Sequence, residues 1–472
     1  MKNTVNGFGL VARSRWLFAG LLLFLSTWSG AVLASQGKLV ILTSFPQEMT
    51  EPLRRAFLKE HPDISIEIQR RGDSDAVKLI HGMEGSPTVD LYWSAVPDGF
   101  ELLKQGGYLQ RYKSAVDAVP AYLGTMPISD PDGYYTGFSV SGYGFMRNIR
   151  YLDAKRLPEP RDWSALADPV YFGHVGMTSA FRSGPTHLVI EHILQSRGWE
   201  AGWRLIQRVG GNLKTVTRTG YDVAEGVRDG EFGIGVVIDS YAISAKASAY
   251  PVAFRYPGEL VMLPASIALL KNAPNPAAAR LFVDFLLSET AQYLLLDKRI
   301  ARLPIKPEVY DSAADDFPNP FKAAIINRSV PFDLSTSIKR YALVNSLFDV
   351  MVTFNLASLR RVTSLLHAVE TRLAIDDDAK ARALLQQARD EIEFVPVLEQ
   401  KSRDSAFVAQ FSQARADTDD AIRQRGIALE NQWTDLFHER YHKAYLLAEK
   451  ALSVLVADAK KGRQFVSAQS GK

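Results

Sequence analysis

The 472-residue sequence predicts an α/β fold of two lobes followed by a C-terminal all-helical extension. Three observations predict it. From Lys38 to Gln105 short apolar runs alternate with amphipathic ones in a β-α-β-α-β-α rhythm, the pattern of a doubly wound parallel sheet with right-handed crossovers. Gly137 to Asn148 is long, extended and glycine-interleaved, as expected of a strand that leaves one lobe and enters the next. Beyond Pro331 proline occurs only at Pro396 and glycine only at Gly426, Gly462 and Gly471, while apolar residues recur at helical spacing.

The chain begins with an address. Lys2, Arg13 and Arg15 precede an apolar run, Trp16 to Trp28, and Val32-Leu33-Ala34 offers a cleavage site, so residues 1–34 read as an export signal cleaved after Ala34 and the mature chain as periplasmic. The run is shorter than the roughly 20 residues a membrane span needs. There is no cysteine, so in an oxidising compartment the fold rests on its core alone. The net charge of +3 equals the three basic residues of the signal, which leaves the remainder formally neutral and argues against a nucleic-acid or polybasic membrane role.

Lys38 to Phe45 is a first strand, ending in Thr43-Ser44. Pro46 opens a helix through Leu58 with Met49, Leu53, Phe57 and Leu58 on its apolar face. Ile64 to Ile68 is a second strand, Asp75 to Met83 a short helix, and Val89 to Trp93 a third strand that ends in Ser94-Ala95. Phe100 to Gln105 is helical and stops at Gly106-Gly107. In the second unit a strand ends at Thr178, and Ser183-Gly184-Pro185-Thr186 starts a helix that runs to Arg197. Trp199 to Val209 and Tyr221 to Arg228 are further helices. Leu260 to Leu263 and Ile267 to Leu270 read as strands returning to the first lobe, and Asn275-Pro276 caps a helix through Leu296. The expected divisions are 35–330 for the two-lobed body, with lobe one about 35–145 and 260–330 and lobe two about 146–259, and 331–472 for a bundle of three or more helices packed on or appended to it. Lobes joined by extended hinge strands close on a ligand in the cleft between them.

The stretch Gly233 to Ile238 reads as a buried parallel strand that stops at Asp239-Ser240-Tyr241. Ligands of open α/β sheets sit outside the carboxyl ends of the strands, so these three residues are placed to grip a small polar ligand. An ordinary polar strand end near solvent carries the same residues.

Catalytic motifs are absent. His187-Leu188-Val189-Ile190-Glu191-His192 has one residue too many for the H-x-x-E-H zinc helix, and a surface or cap role is expected for His187 and Glu191. No G-x-S-x-G elbow, Walker A loop or correctly ordered dinucleotide fingerprint occurs. Asp376-Asp377-Asp378 reads as a helix start, without the spaced ligands of a calcium loop. The chain is therefore expected not to be an enzyme and to carry neither metal nor cofactor.

Polar loops remain. Thr43, Ser44, Ser94 and Ala95 lie at strand ends of lobe one, and Thr178, Ser179, Arg182, Ser183, Gly184 and Thr186 at a helix start in lobe two. Arg218 and Thr219 precede another helix start, and Asp239, Ser240, Tyr241 and Glu259 add acceptors. Helix N-termini with hydroxyls and arginines favour an anion, and carboxylates accept hydroxyls. Together they suggest a phosphorylated or polyhydroxylated metabolite, with a phosphonate or simple carboxylate also open. Each helix start taken alone would serve equally as an ordinary cap.

Leu39 to Phe45, Val89 to Ala95, the strand ending at Asp239-Ser240-Tyr241, Tyr256-Pro257-Gly258-Glu259 and the helix after Asn275-Pro276 resemble the extracellular solute-binding proteins of ABC importers, in the branch of ferric-ion and phosphosugar or phosphonate binders. The resemblance covers roughly Lys38 to Tyr310 and implies a two-lobed periplasmic-binding-protein (type II) fold and an ABC permease as partner. Ferric binders of the family carry adjacent tyrosines where this chain has only Tyr241, so iron is the second candidate. Phosphosugar-type members use an Asp at the position of Asp239 to receive ligand hydroxyls, and the resemblance gives Glu259 a similar role. The tail beginning Tyr341-Ala342-Leu343-Val344-Asn345 resembles that of phosphoglycerate-transport regulatory proteins, which implies a membrane sensor kinase as a further partner and a helical tail that could itself be the active part of a regulatory protein.

Overall fold

The structure is a computed structural model and describes residues 37–83, 85–116, 119–411 and 420–469. The export signal expected at 1–34 lies outside them.

Among the described residues, eleven strands form one mixed sheet: β1 (Lys38–Thr43), β2 (Ser65–Arg70), β3 (Leu91–Ser94), β4 (Leu109–Gln110), β7 (Thr136–Asn148), β8 (Val175–Thr178), β9 (Leu213–Thr217), β10 (Ile234–Ile238), β11 (Val252–Arg255), β12 (Met262–Leu270) and β13 (Leu303–Pro304). Between β4 and β7, β5 (Tyr122–Leu123) and β6 (Met126–Pro127) make a separate pair. The order is β2-β1-β3-β12-β7-β10-β8-β9, with β4 on β12 and with β11 and β13 on β7. Pairing is parallel at both ends, where β1 joins β2 and β3 and where β8 joins β9 and β10. The centre is antiparallel, because the returning β12 runs against β3 and β7, and β7 runs against β10. The purely parallel expectation therefore gives way where the chain crosses between lobes.

The crossing strand β7 has 13 residues, about 43 Å of extended chain. Thr136 to Gly142 pair with β12, and Tyr143 to Asn148 pair with β10 and β11. Two half-sheets thus share one strand. In the first, alternate residues face opposite cores: Leu39, Ile41 and Trp93 pack with Phe138 and Phe282, while Val40, Leu42 and Tyr92 pack with Phe100 and Leu270.

The first half carries the helices α1 (Gln47–Glu60), α2 (Asp73–His81) and α3 (Pro97–Gln105), and the second carries α4 (Ile149–Lys155), α5 (Gly184–Arg197), α6 (Trp199–Asn212), α7 (Gly220–Asp229) and α8 (Asp239–Ala247). α6 runs on past Val209 through Gly210-Gly211 because those glycines let another helix pack close: a Cβ on Gly211 would strike the Thr363 side chain. Residues 262–270 form the single strand β12 where two strands were expected, and Leu260 lies outside it in a bridge with Ser329. The helix after Asn275 breaks at Ser288 into α9 (Pro276–Leu287) and α10 (Glu289–Leu294), because Ser288 caps the second by accepting from Ala291 N–H.

Beyond Pro331 the chain is helical: α11 (Leu334–Phe348), a π-turn (Asp349–Thr353), α12 (Leu356–Leu373), α13 (Ala379–Ile392) and α14 (Asp420–Gln469). Asp378 starts α13 by accepting from Ala381 N–H at 2.7 Å. The extension shares the core of the second half-sheet: Ile234, Val236, Trp199, Trp203 and Ile206 lie in one apolar cluster with Leu343, Leu347, Phe348, Leu359, Leu366, Phe437 and Tyr441. That core explains a correction. His187 and Glu191, expected at the surface, are fully buried beneath α11. His187 Nδ1 meets Asn345 Oδ1 at 2.8 Å, and Arg340 grips Glu191 through three hydrogen bonds of 2.6 to 3.1 Å.

Candidate ligand site

The strand tips and helix starts of the two halves meet at one seam. On the second half, β10 ends at Ile238 and Asp239 is the first residue of α8, so the expected polar strand end at Asp239, Ser240 and Tyr241 is also a helix start. Asp239 is fully buried. Its Oδ2 accepts from Gly142 N–H at 2.7 Å on β7 and from the Tyr256 hydroxyl at 2.8 Å, while Oδ1 has no partner. Burial pushes its carboxyl up to about 6, against the pull of Gly142, Tyr256 and Arg302. Two further helix starts reach the same place. Ser183 caps α5 by accepting from Thr186 N–H at 3.3 Å, and Thr219 caps α7 in a reciprocal box with Asp222. Gly220 lies against both the Tyr241 ring and Ser183 Oγ. Three helix N-termini therefore point positive dipole ends at one spot.

On the first half, Ser44 and Ser94 hydroxyls lie 3.4 Å apart and Ser94 donates to Asp73 Oδ1 at 2.5 Å. Burial pushes the Asp73 carboxyl up, opposed by these hydroxyls. Thr43 ties the strand tips together by donating to Trp93 O at 2.6 Å. Ala95 follows Ser94, and Val96 meets the start of α5: a Cβ on Gly184 would lie 2.7 Å from Val96 Cγ2. The halves touch at this point.

Arg302 lies at the seam, buried, just before β13. Its Nη1 donates to Ser141 Oγ at 3.0 Å and its guanidinium covers the Phe45 ring at 4.9 Å. It faces Asp239, Tyr241 and Tyr143 electrostatically. Tyr241 in turn feels Arg302 and, from the first half, Arg70 and Asp73. The seam thus holds two arginines, two carboxyls, several hydroxyls and three helix starts.

The structure brings Ser44, Ser94, Ser183, Gly184, Thr219, Asp239 and Tyr241 to the seam, with Thr43, Ala95, Thr186 and Ser240 directly behind or beside them. Others lie elsewhere or are occupied. Ser179 donates to Asp349 Oδ1 at 2.7 Å in the extension, and exposed Arg182 faces the same carboxylate. Thr178 Oγ1 pairs with Thr217 Oγ1 at 2.7 Å, and Arg218 is exposed. Glu259 pairs with Arg197 at 3.6 Å, at the far end of the 14-residue α5, about 21 Å along the helix from Ser183. Sequence reasoning missed Arg302, Asp73 and Arg70. Arg70 ends β2, so the strand-tip rule already pointed to it. Arg302 follows Lys298 and Arg299 in a basic run and carries no distinguishing local signal.

Two mixed half-sheets joined by a crossing strand, with strand tips and helix starts facing across a seam, define a two-lobed binding protein. The family profile described as bacterial extracellular solute-binding protein matches residues 86–327, half of the chain, and the chain belongs to that family. Its members bind small ligands outside the cytoplasm for ABC-type transport and are not enzymes. The phosphoglycerate transport regulatory protein PgtC of Salmonella typhimurium is 29% identical over 382 residues, 81% of this chain and 91% of that one. Among solved structures, the periplasmic binding protein AfuA of Actinobacillus pleuropneumoniae with fructose-6-phosphate bound superposes with a TM-score of 0.58 at 21% identity, covering 66% of this chain and 98% of AfuA. The apo ferric ion-binding protein A of Pasteurella haemolytica gives 0.54 at 17% identity, covering 67% and 98%. Both likenesses speak to the fold.

Proposed function

We propose that the protein is the periplasmic binding component of an ABC-type importer, delivered by the signal at 1–34, and that it holds an anionic, phosphorylated small molecule between its lobes. Arg302 is the observation that carries this reading. A buried guanidinium with nitrogens left over after Ser141 is a planar partner for a phosphate, and the starts of α5, α7 and α8 add backbone donors. Asp239 and Asp73 accept hydroxyls from the rest of the ligand. The same guanidinium opposes a ferric ion at Asp239 and Tyr241, where the charge would repel the metal. The names phosphoglycerate transport regulatory protein and fructose-6-phosphate-bound AfuA support a phosphorylated ligand.

A thermal-shift screen with 3-phosphoglycerate, fructose 6-phosphate, methylphosphonate and ferric citrate tests it. A phosphorylated ligand at about 100 times its Kd stabilises the fold by about 2.7 kcal/mol. A shift with ferric citrate alone overturns the ligand class.

A second reading is a regulatory role of the closed form, with a membrane sensor kinase as its proposed receiver; the word regulatory in the name of the Salmonella relative, whose likeness spans 81% of this chain, supports the regulatory part. Because the extension shares a core with the second lobe, removing 331–472 unfolds more than a tail. The test therefore uses the intact chain: ligand-dependent autophosphorylation of the kinase in vesicles supports the reading, and an unchanged rate refutes it.

A further inference from the structure

Helix α11 touches both lobes, and its two faces differ. Toward the second lobe it is held by an apolar core and a buried ion pair. Leu343, Val344, Leu347 and Phe348 sit in the shared core, Arg340 pairs with Glu191, and His187 meets Asn345 and Ser337. The Tyr341 ring lies 4.1 Å from the His187 ring. Toward the first lobe its neighbour is α3, and no α11 residue belongs to the apolar clusters of that lobe among the described residues. The contact there is polar and under-bonded. Asp98 on α3 is 3% exposed and faces Ser337, yet neither of its oxygens closes a hydrogen bond. Native interiors seldom leave a buried carboxyl unpaired, so Asp98 gains from water when this contact opens.

Its location gives that asymmetry a use. α3 begins just after the β3 tip, and Val96 between them touches the start of α5. α11 therefore crosses the seam that parts when the lobes open. We propose that α11 is fixed to the second lobe and docks reversibly on α3 of the first, so that closing the cleft seats α11 on Asp98 and the helical extension reads out the closed state. This rests on the two-lobed binding reading above.

Asp98 makes the docking proton-linked. The charged and titratable groups facing it are Glu101 on its own helix, Asp73 on α2, Glu191 on α5, Tyr341 on α11 and the tyrosines Tyr135 and Tyr143. Burial first, then Glu191, pushes the carboxyl up to about 8. With the lobes apart, water returns it to the ordinary carboxylate range. Docking thus takes up a proton, and the docked form is favoured at low pH and lost as pH rises through about 8. Between pH 6 and 8 the docked-to-undocked ratio falls on the order of 50-fold.

The chain has no cysteine, so engineered pairs label cleanly. Lys59→Cys on α1, Asp153→Cys on α4 and Lys380→Cys on α13 are exposed sites in the first lobe, the second lobe and the extension. Spin-label distances between each pair are measured in the full mature chain at pH 6 and pH 9 without ligand. The α4–α13 distance is expected to stay single, while the α1–α4 and α1–α13 distances lengthen together as pH rises. Asp98→Asn removes the pH response and holds the short population. Distances that ignore pH, or an extension that keeps its distance from α1 while both separate from α4, overturn the proposal. Should Asp98→Asn not fold, the pH series alone decides. No ligand enters the measurement, so its failure leaves the phosphorylated-ligand reading standing, and a failed ligand screen leaves these distances standing.

Discussion

Arg340→Ala tests how the extension is held. Glu191 is fully buried and receives Arg340 Nε at 3.1 and 3.0 Å and Nη2 at 2.6 Å, with Gln195 donating at 2.8 Å. The guanidinium also covers the Trp199 ring at 4.9 Å. Truncation leaves a carboxylate in the core with Gln195 alone, and removing one partner of a buried pair costs about 3–5 kcal/mol. The lost ring contact adds about 1 kcal/mol. Burial already pushes the Glu191 carboxyl up against the pull of Arg340. In the variant only burial and Gln195 remain, so the acid takes up a proton, and the destabilisation is largest above its raised pKa and shrinks on acidification. Guanidinium unfolding at pH 7.5 and 5.5, followed by tryptophan fluorescence, measures both effects. The double variant Arg340→Met/Glu191→Leu should recover to within about 1 kcal/mol of the parent, since apolar replacement of such a pair is close to neutral. A single variant within about 1 kcal/mol of the parent at pH 7.5 refutes the buried pair as the clamp between α5 and α11.

The remaining expectations concern the seam and the buried histidines. Asp239→Asn should weaken binding of a phosphorylated polyol by about 1.5–3 kcal/mol in calorimetry, since a hydrogen bond to a charged acceptor is lost, and an unchanged Kd removes Asp239 from the site. Arg302→Gln should weaken the same ligand at least tenfold while Arg302→Lys recovers only part, because lysine lacks the planar fork; equal affinities count against a phosphate at Arg302. Gly184→Val should lower affinity by obstructing closure against Val96, and adding Val96→Ala should restore it; an affinity insensitive to both means the lobes do not meet there. Burial lowers His187 to about 3 and His192 to about 4, so both stay neutral in the fold while the unfolded chain protonates near pH 6.5. Their stability contribution is therefore lost as pH falls below about 6.5, and His187→Gln should flatten that loss in acid titrations; an unchanged slope refutes it.

Much of the body was legible because its signals are local. Strand tips at Thr43-Ser44, Ser94 and Asp239 lie a residue or two from an apolar β run, and caps such as Ser183, Thr219 and Asn275 sit beside the helices they start. The crossing strand announced itself by length. The site was legible in part: helix starts and strand ends could be named, but not which of them face one another. Ser179 looks like its neighbour Ser183 in the chain, yet one binds the extension and the other caps a helix at the seam.

The alternation of strands and helices in the body, the change to helical spacing beyond Pro331, and the lack of catalytic and metal motifs could be read from the chain alone, since period, caps and spacing act over a few residues. Tertiary structure alone decided that Arg302 faces Asp239, that Glu191 finds Arg340 at a separation of 149 residues, and that Ser179 finds Asp349 at 170. Such pairs form only where packing has already excluded water, because a buried charge or hydroxyl must then be satisfied by whatever the fold brings beside it, and no local pattern encodes that neighbour.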